Sequence, residues 1–308
     1  MKKIVVIGSL NMDLVTEVDH LVKPGETLSA LSFSALPGGK GANQAAAAGK
    51  LGADVHMVGK IGADDYGDTL LNSLKQANVA ADGILIENNG SPTGMAFIQV
   101  SRTGENSIVL VNGSNNNFRP HDLDAIRGVI EQGEIIILQL EIPFETVVMA
   151  IDLAKELGKK VILNPAPARS LPDELLKKID LIIPNEIELE TLTGLPAKTE
   201  DNIYTAADRL LASGAGKVIV TAGDRGCYYV GGGTREHIPP EKVKAVDTTA
   251  AGDSFIGAMA AGLSEGLAER KAIDLAVKAA AVTVTRKGAQ PSLPDRGEVE
   301  DYFSGKTL

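Results

Sequence analysis

Apolar residues in this 308-residue chain gather in short bursts, at positions 4–8, 55–58, 135–140, 161–163, 181–183 and 218–220. Continuous runs, as opposed to alternating ones, are expected of strands covered by helices on both faces. Between the bursts lie helical periodicities. Phe144, Val147, Val148, Ile151 and Ala154 recur on one face, and Leu157-Gly158 follows as a stop. Repeated strand and helix units predict an α/β protein: a three-layer, mostly parallel wound sheet with helices on both faces.

Two stretches, about 14–36 and 93–111, break this rhythm. The first scatters Val15, Val18, Leu28, Leu31 and Phe33 among polar and turn residues; the second sets two β-rich runs around Thr103-Gly104-Glu105-Asn106, a hairpin signal. Neither has a helix to cover it. Both are expected to form a small antiparallel sheet, a lid inserted in one domain that spans residues 1–308. The exposed face and edges of such a sheet suit a second copy of the chain, which predicts a homodimer through the lid.

Composition narrows the function. A hydrophobic content of 44% supports a sizeable core, and a formal net charge of -10 repels nucleic acid and anionic membranes over most of the surface. An anionic ligand therefore needs concentrated donors or metal ions. Cys227 is the only cysteine, so no intrachain disulfide can form and the reducing cytoplasm is the expected location. Lys2 and Lys3 before the first apolar run imitate a secretion signal, but the run is short and Asn11 and Asp13 follow at once. No run approaches the roughly 18 apolar residues of a membrane span. Residues 42–48 read instead as a helix of small side chains able to pack closely on the sheet. The polar segment 301–308 is expected to fray.

The strongest chemical signal is Asp247-Thr248-Thr249-Ala250-Ala251-Gly252-Asp253, where a helix begins near Ala251 or Gly252. Unpaired amides of a first helical turn facing the same volume as the Asp253 carboxylate suit phosphoryl transfer: the carboxylate takes a proton from an attacking hydroxyl while the amides hold the growing negative charge. The plainer alternative is a helix start with Thr248 or Thr249 as cap. A second signal, Pro37-Gly38-Gly39-Lys40-Gly41-Ala42-Asn43-Gln44-Ala45, is glycine-rich but matches neither nucleotide-binding fingerprint. Bare glycines would let a neutral polyol lie against the backbone, with Asn43 both donating and accepting; a tight turn capped by Asn43 explains the same residues.

Asn11, Asp13 and Glu141 leave the carboxyl ends of predicted strands, where wound sheets bind ligands. Asn185 and Glu188, three apart after the run at 181–183, are either paired oxygen donors near a hydrated Mg²⁺ or an ordinary capping box. Thr221 and Gly223 mark another strand end open to phosphates or to a plain turn. The four histidines have no metal-ligand spacing, and no G-x-S-x-G elbow is present.

Gly38-Gly39-Lys40-Gly41-Ala42-Asn43-Gln44-Ala45 and Asp247-Thr248-Thr249-Ala250-Ala251-Gly252-Asp253 resemble the two signatures of the ribokinase-like (PfkB) carbohydrate kinases. Asn11-Met12-Asp13, Asn185-Glu186-Ile187-Glu188 and Thr285-Arg286-Lys287-Gly288-Ala289 fall where that family places functional segments, so the resemblance covers nearly the whole chain. It implies transfer of a phosphoryl group from ATP to the 5-hydroxyl of D-ribose. Asp253 is implied as the base, with Ala250, Ala251 and Gly252 as the anion hole. Asn11, Asp13, Gly39, Lys40, Asn43 and Glu141 are implied sugar contacts. Asn185 and Glu188 are implied on the Mg²⁺ and nucleotide side, and Thr221 and Gly223 along ATP. Asp247, Thr249, Val284, Gly288 and Ser292 resemble a K⁺ loop.

Other readings remain open at this stage. A kinase for 2-deoxyribose, fructose or a nucleoside fits the same motifs, although 5 Tyr, 6 Phe and no Trp leave little to stack a base. A non-catalytic sugar-binding protein would need neither a base nor an anion hole. A nicotinamide-dependent dehydrogenase should carry its glycines straight after the first strand, where only Gly8 stands.

Overall fold

The computed structural model describes residues 1–305. Its strands, in chain order, are β1 (Ile4–Ile7), β2 (Asn11–Val18), β3 (Ser32–Gly38), β4 (Val55–Gly62), β5 (Val79–Glu87), β6 (Gly94–Ser101), β7 (Asn106–Val111), β8 (Ile135–Leu138), β9 (Lys160–Leu163), β10 (Leu181–Ile182), β11 (Lys217–Thr221), β12 (Cys227–Gly231) and β13 (Thr234–Ile238). Nine of them form one sheet in the order β13-β12-β11-β10-β9-β8-β1-β4-β5. From β5 to β11 every pairing is parallel; β12 and β13 extend the far edge antiparallel.

The apolar bursts have the expected cause. In β1, Ile4 and Val6 face one core while Val5 and Ile7 face the other, and β8 divides its residues in the same way. The first core holds the helices Lys40–Lys50, Ala251–Ser264 and Glu269–Thr283; the second holds Phe144–Glu156 and Glu200–Ala212. Gly158, at φ 69, follows the Phe144–Glu156 helix as its sequence pattern predicts.

The alanine-rich helix Lys40–Lys50 is buried along almost its entire length and lies against Ala251–Ser264. A Cβ on Gly257 would stand 2.6 Å from the Ala47 Cβ and 2.7 Å from the Gln44 carbonyl oxygen, so only glycine admits this approach. The close contact sets the two motif-bearing helices side by side.

The small sheet differs from expectation in one respect. Its order is β3-β2-β6-β7, and while β2 with β3 and β6 with β7 are antiparallel, the central pair β2 and β6 is parallel. Both strands leave the body after parallel strands, β1 and β5, and so enter the small sheet in the same direction. Strand β2 also begins at Asn11, which places Asn11 and Asp13 within the small sheet rather than in a turn after β1. At the other terminus, residues 301–304 belong to the helix Arg296–Ser304 instead of fraying. A reciprocal capping box between Asp295 and Glu298 starts that helix, and Val299 and Phe303 pack on the first core. Positions 306–308 of the segment expected to fray lie outside the described residues. Among the described residues, no helix is long and apolar enough to cross a membrane.

Candidate active site

The chain passes from β1 outward to β4 and β5 in one direction, then returns to add β8 through β11 on the other side of β1. Strand order reverses there, and open α/β sheets bind ligands at the carboxyl ends beside such a reversal. Polar residues gather at those ends: Ser9 and Asn11 after β1, Gln139 and Glu141 after β8, Asn164 after β9, Asn185 after β10 and Thr221 at the end of β11. A cleft of about 220 Å³ lies over them, walled by Lys40, Asn164, Asn185, Glu188, Thr221 and the 250–253 turn among others. Among the described residues, no aromatic side chain lines it.

Asp253 sits in the first turn of Ala251–Ser264 and is only 8% exposed. Asn43 Nδ2 donates to its Oδ2 at 3.0 Å and Gln44 Nε2 donates to its Oδ1 at 2.9 Å. No side chain caps this helix, which rules out the capping role for Thr248 or Thr249. The turn is opened instead by Ala250, a non-glycine residue held at φ 59, a conformation that costs about 1–3 kcal/mol and is retained mainly where function requires it. Nothing lies within 4 Å of where a Gly252 Cβ would stand, so the first-turn backbone faces open cleft. Ala250, Ala251, Gly252 and Asp253 thus share one wall, as the sequence suggested.

Asn43 does not cap its helix either; apart from its bond to Asp253 it leaves a buried Oδ1 without a partner. A buried unpaired acceptor costs about 1–3 kcal/mol unless a ligand donates to it. The neighbouring glycines also have a packing role that the sequence did not reveal. A Cβ on Gly39 would meet Asn11 N at 2.7 Å, and one on Gly41 would meet Ser9 N at 2.7 Å. They let the helix start press on the chain leaving β1.

Asn11 is oriented by Asn115, whose Nδ2 donates to Asn11 Oδ1 at 2.7 Å and to the Leu10 carbonyl at 2.9 Å. Glu141 accepts from Ser9 Oγ at 2.6 Å and from the Lys40 amide at 3.1 Å. Burial works against the Lys40 ammonium, but the carboxylates of Asp253, Glu141, Glu188 and Asp13 outweigh it and hold its pKa above the usual range. Burial, then Glu141 and Asp253, push Asp13 up to about 7, with Lys40 opposing.

Asn185 and Glu188 form a reciprocal capping box, so the plainer of the two readings describes their hydrogen bonds, yet both also line the cleft. Burial raises the Glu188 carboxyl against the Asn185 amide and Lys40. Thr221 bridges to Asn185 and lines the same wall. Gly223 begins a 3₁₀ turn and is not part of the cleft wall.

The 284–292 segment folds back on Asp247. Asp247 accepts from Thr249 N at 2.9 Å, Thr249 Oγ1 at 2.7 Å and Gly288 N at 2.9 Å, and the Val284 carbonyl accepts from the Val246 and Asp247 amides. Burial works against the Asp247 carboxylate, but the bonds from Gly288 and Thr249 hold its pKa below the usual range. Ser292 is buried, and its hydroxyl donates to the Ala289 carbonyl at 2.7 Å.

Ser9, Gln44, Asn115, Gln139 and Asn164 were not singled out from the sequence. Four of them carried a usable signal: Gln44 adjoins Asn43, Ser9 and Asn164 follow apolar bursts directly, and Gln139 interrupts the burst at 135–140. Asn115, in a run of three asparagines, carried none.

The raised Asp13 carboxyl has a consequence for stability. The folded chain keeps a proton up to about pH 7 that the unfolded chain releases near 3.8. The unfolded state therefore binds fewer protons between those values, and stability falls as pH rises through them. Asp13→Asn should flatten this part of the urea-unfolding profile; an unchanged slope between about pH 4 and 7 would show that Asp13 titrates normally.

Known proteins resemble this chain over nearly its whole length. A model of the pfkB family of carbohydrate kinases matches residues 1–296. The chain is 42% identical to a ribokinase from Haemophilus influenzae, with 98% of both chains covered, and 40% identical to a deoxyribokinase from Salmonella typhi at the same coverage. It is also 42% identical to a bifunctional ribokinase/ribose-5-phosphate isomerase A from Fructilactobacillus sanfranciscensis, covering 96% of this chain but 55% of that longer protein. A structure of Arabidopsis thaliana ribokinase complexed with ribose and ATP superposes with a TM-score of 0.90 at 35% identity, covering 97% of this chain and 98% of that one. The chain belongs to the pfkB family of carbohydrate kinases.

Proposed function

We propose that this protein transfers the γ-phosphoryl group of ATP to the 5-hydroxyl of D-ribose, giving ribose 5-phosphate and ADP. The observation that carries the reading is Asp253: a buried carboxylate beside an uncapped helix start, fixed by two neutral amides with no cation hydrogen-bonded to it. In the proposed step the sugar hydroxyl attacks Pγ as the bond from Pγ to the bridging oxygen breaks, and the hydroxyl proton passes to Asp253. The first-turn amides near Ala250, Ala251 and Gly252 face the charge that develops on the phosphoryl oxygens.

The sugar would be held by Asn11, Asp13, Gly39, Lys40, Asn43 and Glu141. The orphaned Asn43 Oδ1 asks for a hydroxyl donor, and Asp13, with its pKa near 7, can donate as well as accept. The small sheet, residues 11–38 and 94–111, would act as the lid that excludes water as it closes. ATP would run along Asn185, Glu188, Thr221 and Gly223. Glu188 offers one carboxylate on the cleft wall, which suits a Mg²⁺ that keeps its waters and takes its remaining ligands from the phosphates. That ion would neutralise phosphate charge. Asp247, Thr249, Val284, Gly288 and Ser292 would offer carboxylate, hydroxyl and carbonyl oxygens, the ligands a hard monovalent cation takes, and the Asp247 carboxyl is held below its usual range. K⁺ there would act electrostatically on the adjoining turn.

Deoxyribose is the second reading, favoured by the Salmonella typhi relative. A hydroxyl that makes no buried hydrogen bond is discriminated by only about 1–3 kcal/mol. The lone buried Cys227 is compatible with the reducing cytoplasm, a placement that recovery of the protein outside the cytoplasmic fraction would remove. The exposed apolar residues Phe33, Phe97, Ile108, Val109 and Leu110 on the small sheet support a homodimer through the lid.

ATP consumption should be fastest with ribose in a panel that includes deoxyribose, fructose, adenosine and no sugar, and faster in K⁺ than in Na⁺. A higher kcat/KM for another acceptor would reassign the substrate, and equal rates in both salts would remove the K⁺ site. Asp253→Asn should lower kcat by roughly 10²–10⁴-fold with the fold intact; near wild-type turnover would end its role as base. Sedimentation at micromolar concentration should show a dimer, and Val109→Lys should shift it towards monomer. A monomeric wild-type chain would contradict the shared lid.

A further inference from the structure

Behind Asp253 lies a chain of buried amides that neither motif accounts for. Ile183, just past β10, presents a backbone carbonyl, which can only accept. Asn164 Nδ2 donates to it at 3.1 Å, which turns Asn164 Oδ1 towards Gln44. Gln44 Nε2 donates one hydrogen to Asn164 Oδ1 at 3.1 Å and the other to Asp253 Oδ1 at 2.9 Å. Gln139 Nε2 then donates to Gln44 Oε1 at 2.6 Å. Gln44 and Gln139 are fully buried and Asn164 is 6% exposed, so water has little access to replace any of these partners.

The order of donors and acceptors in this chain admits one arrangement. Were the Gln44 amide reversed, its oxygen would face two acceptors, Asn164 Oδ1 and Asp253 Oδ1, and its NH₂ group would face the NH₂ of Gln139. Each contact would be repulsive in a site of low dielectric. Gln139 Oε1 has no partner, so the Gln139 side chain is held here by its single bond to Gln44 and by the space that Gly8 leaves for it, where a Cβ would fall 1.9 Å from that oxygen.

We propose that Gln44 is a positioning residue for phosphoryl transfer, locked by Gln139 on one side and by Asn164 on the Ile183 carbonyl on the other so that only N–H groups face Asp253. Asn43 and Gln44, successive residues of one helix, grip one carboxylate oxygen each, and the pair fixes the plane of the carboxylate relative to the bound hydroxyl. Gln139 touches neither Asp253 nor the cleft wall; it acts through Gln44 alone. The inference rests on the reading of Asp253 as the base.

The test compares Gln44→Met, Gln139→Met, the double variant and Asp253→Asn in steady-state kinetics with ribose and ATP. Misplacing a reacting group by a fraction of an ångström to an ångström costs up to about 10²-fold, so each single variant should lose roughly tenfold to a hundredfold in kcat with little change in KM. Because Gln139 works only through Gln44, the double variant should turn over no more slowly than Gln44→Met. Losses that multiply in the double variant, losses confined to KM, or wild-type kcat in both single variants overturn the inference. If Gln139→Met fails to fold by circular dichroism, Asn164→Leu, which releases the other restraint on Gln44, replaces it in the same cycle. Asp253→Asn keeps the two claims apart. If it is inactive while Gln44→Met is not impaired, the positioning role alone fails; if it turns over normally, the base assignment fails as well.

Discussion

The contact between the helices Lys40–Lys50 and Ala251–Ser264 sets the geometry of everything else in the cleft. A carboxylate held away from water by neutral amides is expensive to maintain, because its charge loses hydration and gains no counter-ion at hydrogen-bond distance. Here the compensation comes from two side chains of adjacent residues, and those can reach Asp253 only because the helix backbones nearly touch. Gly257 and the alanines at 45–48 remove the side-chain volume that would keep them apart. The price appears at Ala250, whose left-handed backbone opens the turn in front of the acid.

Charge around this contact is arranged in opposition. Asp13, Glu141, Glu188 and Asp253 surround a single ammonium, Lys40, and each bears on the protonation of its neighbours. A chain with net charge -10 that binds a polyphosphate must concentrate its few favourable groups, and the cleft wall gathers first-turn backbone, Lys40 and Gly252. On the proposed reading, the cleft takes a neutral sugar on the Asn43 side and metal-neutralised phosphates on the Glu188 side. The strand reversal at β1 brings both halves to the same sheet edge.

Much of this was legible in the residues, for reasons that differ from element to element. Strands β1, β8 and β11 are buried on both faces, so their bursts of Ile and Val could belong to nothing else. The parallel pairing of β2 with β6 was not legible, because strand direction is set by where each strand leaves the body, and no local pattern records that. The glycines of 38–41 drew attention to the right place for an incomplete reason: they accommodate the chain leaving β1. Asn185 and Glu188 illustrate the limit of spacing arguments, since the same three-residue interval satisfies a helix cap and faces a ligand cleft at once. Gln44, Gln139 and Asn164 escaped notice because a buried amide network is assembled from three strand ends and a helix that are distant in sequence.

A crystal structure with ribose and a non-hydrolysable ATP analogue bound tests the account most directly. It should place the ribose 5-hydroxyl within about 2.6–3.2 Å of Asp253 and the terminal phosphate against the 250–253 turn. A sugar bound with its hydroxyl out of reach of that carboxylate, or a terminal phosphate held at another strand end, would contradict it.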